Sequence, residues 1–208
     1  MEGRDVYLVA GLRSHLGLQN GIFKEVPPEK LGAALLRQLC VQVPVAREAQ
    51  LVIGGNAVGS GGNLMRLMAL TAGLPAELPA MTLDMQCASA LGALSLAWGQ
   101  IASGQLELVL CGGVESSSLQ PRRVYQPWDS RYTPEGYMTA LFARQYPTCT
   151  DRYLPLGGAL AYGHPYGCSG AVLVLHALAA LEGQEGKKAL CAIAGAGGTG
   201  AGVLLETL

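Results

Sequence analysis

Two side chains in this 208-residue chain stand where they could make and break an acyl bond. Cys87, in DMQCASA, closes an expected strand and opens an apolar helix. A thiol there meets unpaired N–H groups and the positive end of the helix dipole. Both lower its pKa and make it nucleophilic. Ala88, Ser89 and Ala90 behind it are small enough for another group to approach closely. The same placement also suits a buried structural thiol, and local sequence leaves the two open. His164 lies in GGALAYGHPYGCSG, between Gly163 and Pro165, in a loop that feeds a second apolar helix. A rigid loop presents an imidazole better than a helix face does. His176 sits on such a face and reads as core; His15 lies in a turn that nothing marks out. A thiolate, an imidazole and backbone donors from glycine loops together make nucleophilic acyl chemistry.

Positioning these groups requires a particular set of elements. Apolar patterning predicts strands at Val6–Ala10, Leu51–Gly54, Ala80–Met85 and Glu107–Cys111. Between them come helices at Pro28–Leu39, Leu64–Ala72 and Ala88–Ser103, with Pro28 suited to a first turn. This alternation implies an α/β fold whose mostly parallel sheet is covered on both faces. The helix ASALGALSLAWGQIAS carries no charge, and a helix apolar all round is buried on all sides. Gly170–Leu181, GAVLVLHALAAL, is nearly the same. Two such helices imply a layered α-β-α-β-α sandwich with both in the central layer.

A weak internal repeat agrees. Cys111 follows Cys87 by 24 residues and Cys191 follows Cys168 by 23. Each pair brackets small residues, a buried helix and a strand leading to glycines. Two related half-folds follow, the second incomplete. A pseudo-twofold between them would bring the two helix starts together, and with them Cys87 and His164. Between the halves, Gln120–Pro155 holds five of eight tyrosines, five of eleven prolines and five arginines. So long a connection is expected to be functional or mobile, with a short helix at Gly136–Gln145. Arg122 and Arg123 within it could meet phosphates, but read as a solvated loop pair.

Composition excludes several classes. Hydrophobic residues make up 50% and charged ones 14%, against about 25% charged in an average domain. Fourteen Lys and Arg against fifteen Asp and Glu leave a net charge of −1. No single-sign field is available for nucleic acid or an anionic membrane. No apolar run approaches the roughly 20 residues of a membrane span. Glu2, Arg4 and Asp5 rule out a secretory signal at the start. Six cysteines without a C-x-x-C pair argue against zinc or a disulfide framework and for a reducing, cytoplasmic compartment. A mean hydropathy of +0.30 implies large buried faces, including a subunit interface. Gly195, Gly197 and Gly200 fit G-x-G-x-x-G, but VLLETL follows where a dinucleotide site needs a helix.

Several segments together resemble the thiolase family. VYLVAGLRSHLGLQNG is similar to its opening strand and R-T-P-x-G turn, through Arg13, Ser14 and Gly17, with His15 in the proline's place. DMQCASA resembles the nucleophile motif N-x-x-C-x-S-G, with Asp84 and Ala90 at the asparagine and last glycine. CGGVESSS resembles G-G-x-E-x-M-S. GGALAYGHPYGCSG is very close to G-G-A-I-A-x-G-H-P-x-G-x-S-G, and GAGGTGAGVLLETL to the final glycine loop and strand. The resemblance implies a thiolase-like sandwich in which residues 1–119 form the first half, 120–155 a reduced loop region and 156–208 the remnant of the second half. It implies an acyl-CoA thioester as substrate, no bound cofactor and no metal. Cys87 matches the cysteine that carries the acyl group, and His164 the histidine that activates it. The backbone N–H groups of Cys87 and Ala196 match oxyanion donors. The family's second cysteine, its acid/base, falls on Ala194, and the N-E-A-F-A motif is absent from the sequence. The expectation is an acyltransferase that forms a Cys87 acyl-enzyme but is impaired in condensation and thiolysis. The alternative is a catalytically degenerate homologue acting as a partner subunit or scaffold. Either is expected to be a homodimer or a heteromer with a longer homologue.

Overall fold

The computed structural model describes residues 4–59, 62–121 and 145–208. Helix α1 spans Pro28–Gln42 and α2 Leu64–Ala72; strand β1 is Leu51–Gly55 and β2 is Ala80–Leu83. Helix α3, Ser89–Ala102, leads to β3, Val109–Gly113. Beyond residue 145 come the short α4, Ala159–Tyr162, then α5, Ser169–Leu181, β4, Lys188–Gly195, and β5, Thr199–Glu206.

The first sheet is parallel in the order β2-β1-β3, with Ile53 opposite Met81 on one side and Cys111 on the other. Its central strand is buried throughout, as an apolar run covered on two faces must be. Val52 points toward α1 and α2, where it packs with Leu36, Met65 and Met68. Leu51 and Ile53 point the other way, onto Ala93 and Ala97 of α3. Asn63 caps α2, its Oδ1 accepting from Arg66 N at 3.2 Å, and Gly73 ends that helix in the left-handed conformation at φ 81°.

Strands β4 and β5 form a separate antiparallel hairpin. Its inner face, with Cys191, Ile193 and Val203, packs on Leu91 of α3 and Val174 of α5. The layers therefore run α1/α2, first sheet, α3/α5, hairpin. Helix α3 lies between the two sheets; α5 packs on the hairpin beside it and meets the first sheet at its start, where Cys168 backs Gly113. The outermost layer of the second half is not found among the described residues. Leu190 and Leu204, paired across the hairpin, are 72% and 63% exposed there.

Three expectations are corrected. Val6–Ala10 is not a strand: Tyr7 and Val9 are exposed, and the segment belongs to no sheet. The sheet ends at β2 and β3, and this apolar run pairs with the outer edge of neither. Helix α3 is not buried all round. Its first turns are, but Leu96 and Trp98 are exposed because the hairpin covers only the helix's start. The strand expected at Ala80–Met85 stops at Leu83, because Asp84–Gln86 turns the chain into α3. The short helix expected at Gly136–Gln145 lies, but for its last residue, outside the described residues, as do Arg122 and Arg123.

Candidate active site

Cys87 is half-buried and stands two residues before α3. The turn that delivers it is unusual. Gln86 adopts a left-handed φ of 53°, which costs a side chain about 1–2 kcal/mol relative to glycine. Asp84 supports it: Oδ1 accepts from Gln86 N at 2.8 Å and from Gln86 Nε2 at 3.1 Å. Ser89 closes the turn, accepting from Met85 N at 2.8 Å and donating to the Gln86 carbonyl.

His164 follows Gly163, whose φ of 99° ends α4, and precedes α5 by five residues. Its Nδ1 lies 2.7 Å from Ser169 Oγ, and its ring meets Tyr166 edge-on, with centroids 5.0 Å apart. Partial burial lowers its pKa, favouring the neutral imidazole.

Glycines bring these segments together. An ideal Cβ on Gly55, at the end of β1, would lie 2.5 Å from Ala90 N and on the Gly167 carbonyl oxygen. One on Gly113, at the end of β3, would lie 2.9 Å from Cys168 Cα, and one on Gly170 would lie 2.6 Å from Leu91 N. The first turns of α3 and α5 thus meet each other over the ends of β1 and β3. The hairpin turn joins them: Thr199 Oγ1 donates to the Met85 carbonyl at 3.3 Å, and a Cβ on Gly195 would lie 3.4 Å from Ala88 Cβ. Ala194 and Ala196, both exposed, flank that glycine. The segments carrying Cys87, His164 and Ala194–Ala196 therefore converge on residues 85–91.

Other candidates lie apart. Cys191 faces the core, its Sγ 3.7 Å from the Leu173 carbonyl, and burial raises its pKa. Cys111 and Cys168 are pushed up by burial to about 11 and about 12. His176 packs edge-on against Tyr162 with its Nδ1 buried and unbonded. Gly197 and Gly198, at φ 83° and 78°, turn a hairpin and not a phosphate-binding helix start. Among the described residues there is no cluster able to hold a metal, and no helix is long and apolar enough to cross a membrane. None of the six cysteines is in a disulfide.

A family model described as the N-terminal domain of thiolase matches residues 6–152, and one described as its C-terminal domain matches 140–207. The chain belongs to the thiolase family. Two relatives carry the name "Putative acetyl-CoA C-acetyltransferase". YhfS of Bacillus subtilis strain 168 is 44% identical over 114 residues, 55% of this chain and 31% of that protein. VraB of Staphylococcus aureus strain MRSA252 is 34% identical over 165 residues, 78% of this chain and 42% of that protein. The chain thus spans about a third to two-fifths of the length of these curated relatives.

The thiolase motifs pointed to Cys87 and His164 but not to the groups that hold them. Glu115, Ser169 and the Asp84–Gln86 turn went unassigned in the sequence. Each nevertheless stood at a matched motif position: Glu115 in CGGVESSS, Ser169 in GGALAYGHPYGCSG and Asp84 in DMQCASA.

Proposed function

We propose that this chain is a thiolase-type acyltransferase that takes an acyl group from an acyl-CoA thioester onto Cys87. The supporting observation is the convergence of the first turns of α3 and α5, each preceded by one of the two reactive side chains. In the proposed reaction His164 takes the thiol proton. The Cys87 thiolate attacks the thioester carbonyl carbon. Its carbonyl oxygen becomes an oxyanion, for which the N–H groups of Cys87 and Ala196 are the assigned donors. Collapse breaks the bond to sulfur and expels CoA thiolate, which recovers the proton from the imidazolium. The acyl group remains as a Cys87 thioester. Water then hydrolyses it slowly, or CoA returns to reverse it.

Condensation and thiolysis need a further base at the second substrate. Ala194 cannot supply one, so both are expected to be weak. Chromatographic detection of CoA released from acetyl-CoA, without acetoacetyl-CoA, tests this. Condensation at ordinary enzymatic rates would refute it.

A second reading is a non-catalytic partner of a longer homologue. The uncovered outer face of the hairpin, with Leu190 and Leu204, favours it. A complex with such a homologue and no acylation of Cys87 would support that reading over the first. On either reading the exposed apolar surface implies a dimer in solution. Light scattering at micromolar concentration checks this, and a stable, soluble monomer would contradict it.

A further inference from the structure

Glu115 lies two residues beyond β3 and points back into the junction between the halves. Its Oε2 accepts from Gly167 N at 2.8 Å and Ala57 N at 2.9 Å. Its Oε1 accepts from Asn56 Nδ2 at 2.8 Å and Val58 N at 3.2 Å. Asn56, itself buried, also donates from Nδ2 to the Val114 carbonyl at 2.8 Å. One carboxylate thus ties together the chain after β1, the chain after β3 and the loop that carries His164.

Every partner is a neutral donor, and among the described residues no cation forms an ion pair with Glu115. Asp84 and the Cys168 thiol are the titratable groups that its charge couples to. A desolvated carboxylate of this kind is costly to keep, and an apolar side chain would fill the space more cheaply. What a carboxylate offers is acceptors only, matched to donors from three segments. Gly167, three residues after His164, admits no side chain: a Cβ there would lie 2.8 Å from Glu115 Oε2 and 2.6 Å from Asn56 Cα.

We propose that Glu115 is a positioning residue for His164. Its carboxylate holds the Gly167 N–H, fixes the 164–169 loop on the ends of β1 and β3, and so sets the imidazole relative to the start of α3. This inference rests on the acyl-transfer reading of Cys87 and His164. Glu115→Gln keeps the shape but turns an amide N–H₂ toward N–H donors. Glu115→Asp keeps the charge and shortens the reach.

Three measurements on the full chain test the proposal: thermal unfolding, the nitrogen chemical shifts of the His164 ring, and the kinetics of CoA release from acetyl-CoA. Glu115→Gln is expected to fold and to keep KM within about twofold while the rate constant falls at least about tenfold. Its His164 nitrogens should shift toward a mixture of tautomers, and Glu115→Asp should recover part of both effects. An unchanged His164 signature, or a rate that falls only with the folded fraction, would overturn the proposal. Should Glu115→Gln not fold, the wild-type protein answers instead. The Gly167 amide proton and the His164 ring should share an inflection as Glu115 titrates, and independent titration would overturn the proposal. Absence of CoA release by the wild type would refute acyl transfer, while the His164 shifts would still decide the role of Glu115.

Discussion

Ser169 Oγ lies 2.7 Å from His164 Nδ1 and 3.0 Å from the Pro165 carbonyl oxygen. A hydroxyl has one proton to give. Both contacts are hydrogen bonds only if Ser169 donates to Pro165 and Nδ1–H donates to Ser169. His164 then carries its proton on Nδ1 and leaves Nε2 unprotonated. The buried serine at the start of α5 thereby selects the tautomer.

Ser169→Ala removes that selection. Acylation of Cys87 should slow by roughly tenfold, as expected for a misoriented catalytic group. Stability should fall by about 1–3 kcal/mol, the worth of the two hydrogen bonds lost. Stopped-flow acylation and urea unfolding separate the two. In the wild type the acid limb of the rate should lie below pH 6.5, because burial lowers the His164 pKa from that ordinary value. The same shift means that protonating His164 opposes folding. Its contribution to stability therefore declines as pH falls below 6.5.

Two glycines in neighbouring helices should respond oppositely to alanine. Gly170→Ala would push a Cβ to within 2.6 Å of Leu91 N and Cβ, separating α3 from α5. Overpacking of this kind costs about 1–3 kcal/mol. Gly99→Ala meets nothing within 4 Å in the interior of α3 and should stabilise by roughly 0.5–1 kcal/mol. Thermal unfolding of the two variants gives the signs directly.

Alkaline pH should weaken the fold through two buried thiols. In the unfolded chain Cys111 and Cys168 ionise near the ordinary value of 9.0, but the fold holds them protonated up to about 11 and about 12. Both folded values are raised, so the stability they contribute is complete below 9.0 and is lost as pH rises through the folded values. The loss reaches about 1.4 kcal/mol per pH unit per thiol. Urea midpoints between pH 8 and 10.5 check this, and Cys168→Ala should flatten the decline.

Helices and the central strand were legible because periodicity and punctuation agreed. Leu64–Ala72 is bracketed by Asn63 and Gly73, and observed and expected bounds coincide. Val6–Ala10 was not, because an apolar run does not specify whether it pairs with a sheet edge, and this one pairs with neither β2 nor β3. The exposed end of α3 was hidden for a related reason. Absence of charge on Leu96 and Trp98 does not specify a neighbour. The candidate pair stood out by residue type and flanks, small residues after Cys87 and Gly163 with Pro165 around His164. The groups that orient it did not, because Glu115 and Ser169 act across 52 and five residues of sequence. Their roles depend on the backbone contacts at Gly55, Gly113 and Gly167.

Acetylation of Cys87 is the central claim, and intact-protein mass spectrometry after incubation with acetyl-CoA tests it most directly. Peptide mapping should place one acetyl group on Cys87. The adduct should be lost in Cys87→Ala and slowed in His164→Ala. Cys111, Cys168 and Cys191 should stay unmodified, held protonated by burial. An unmodified Cys87, or an adduct on Cys149 that persists in Cys87→Ala, would contradict the account.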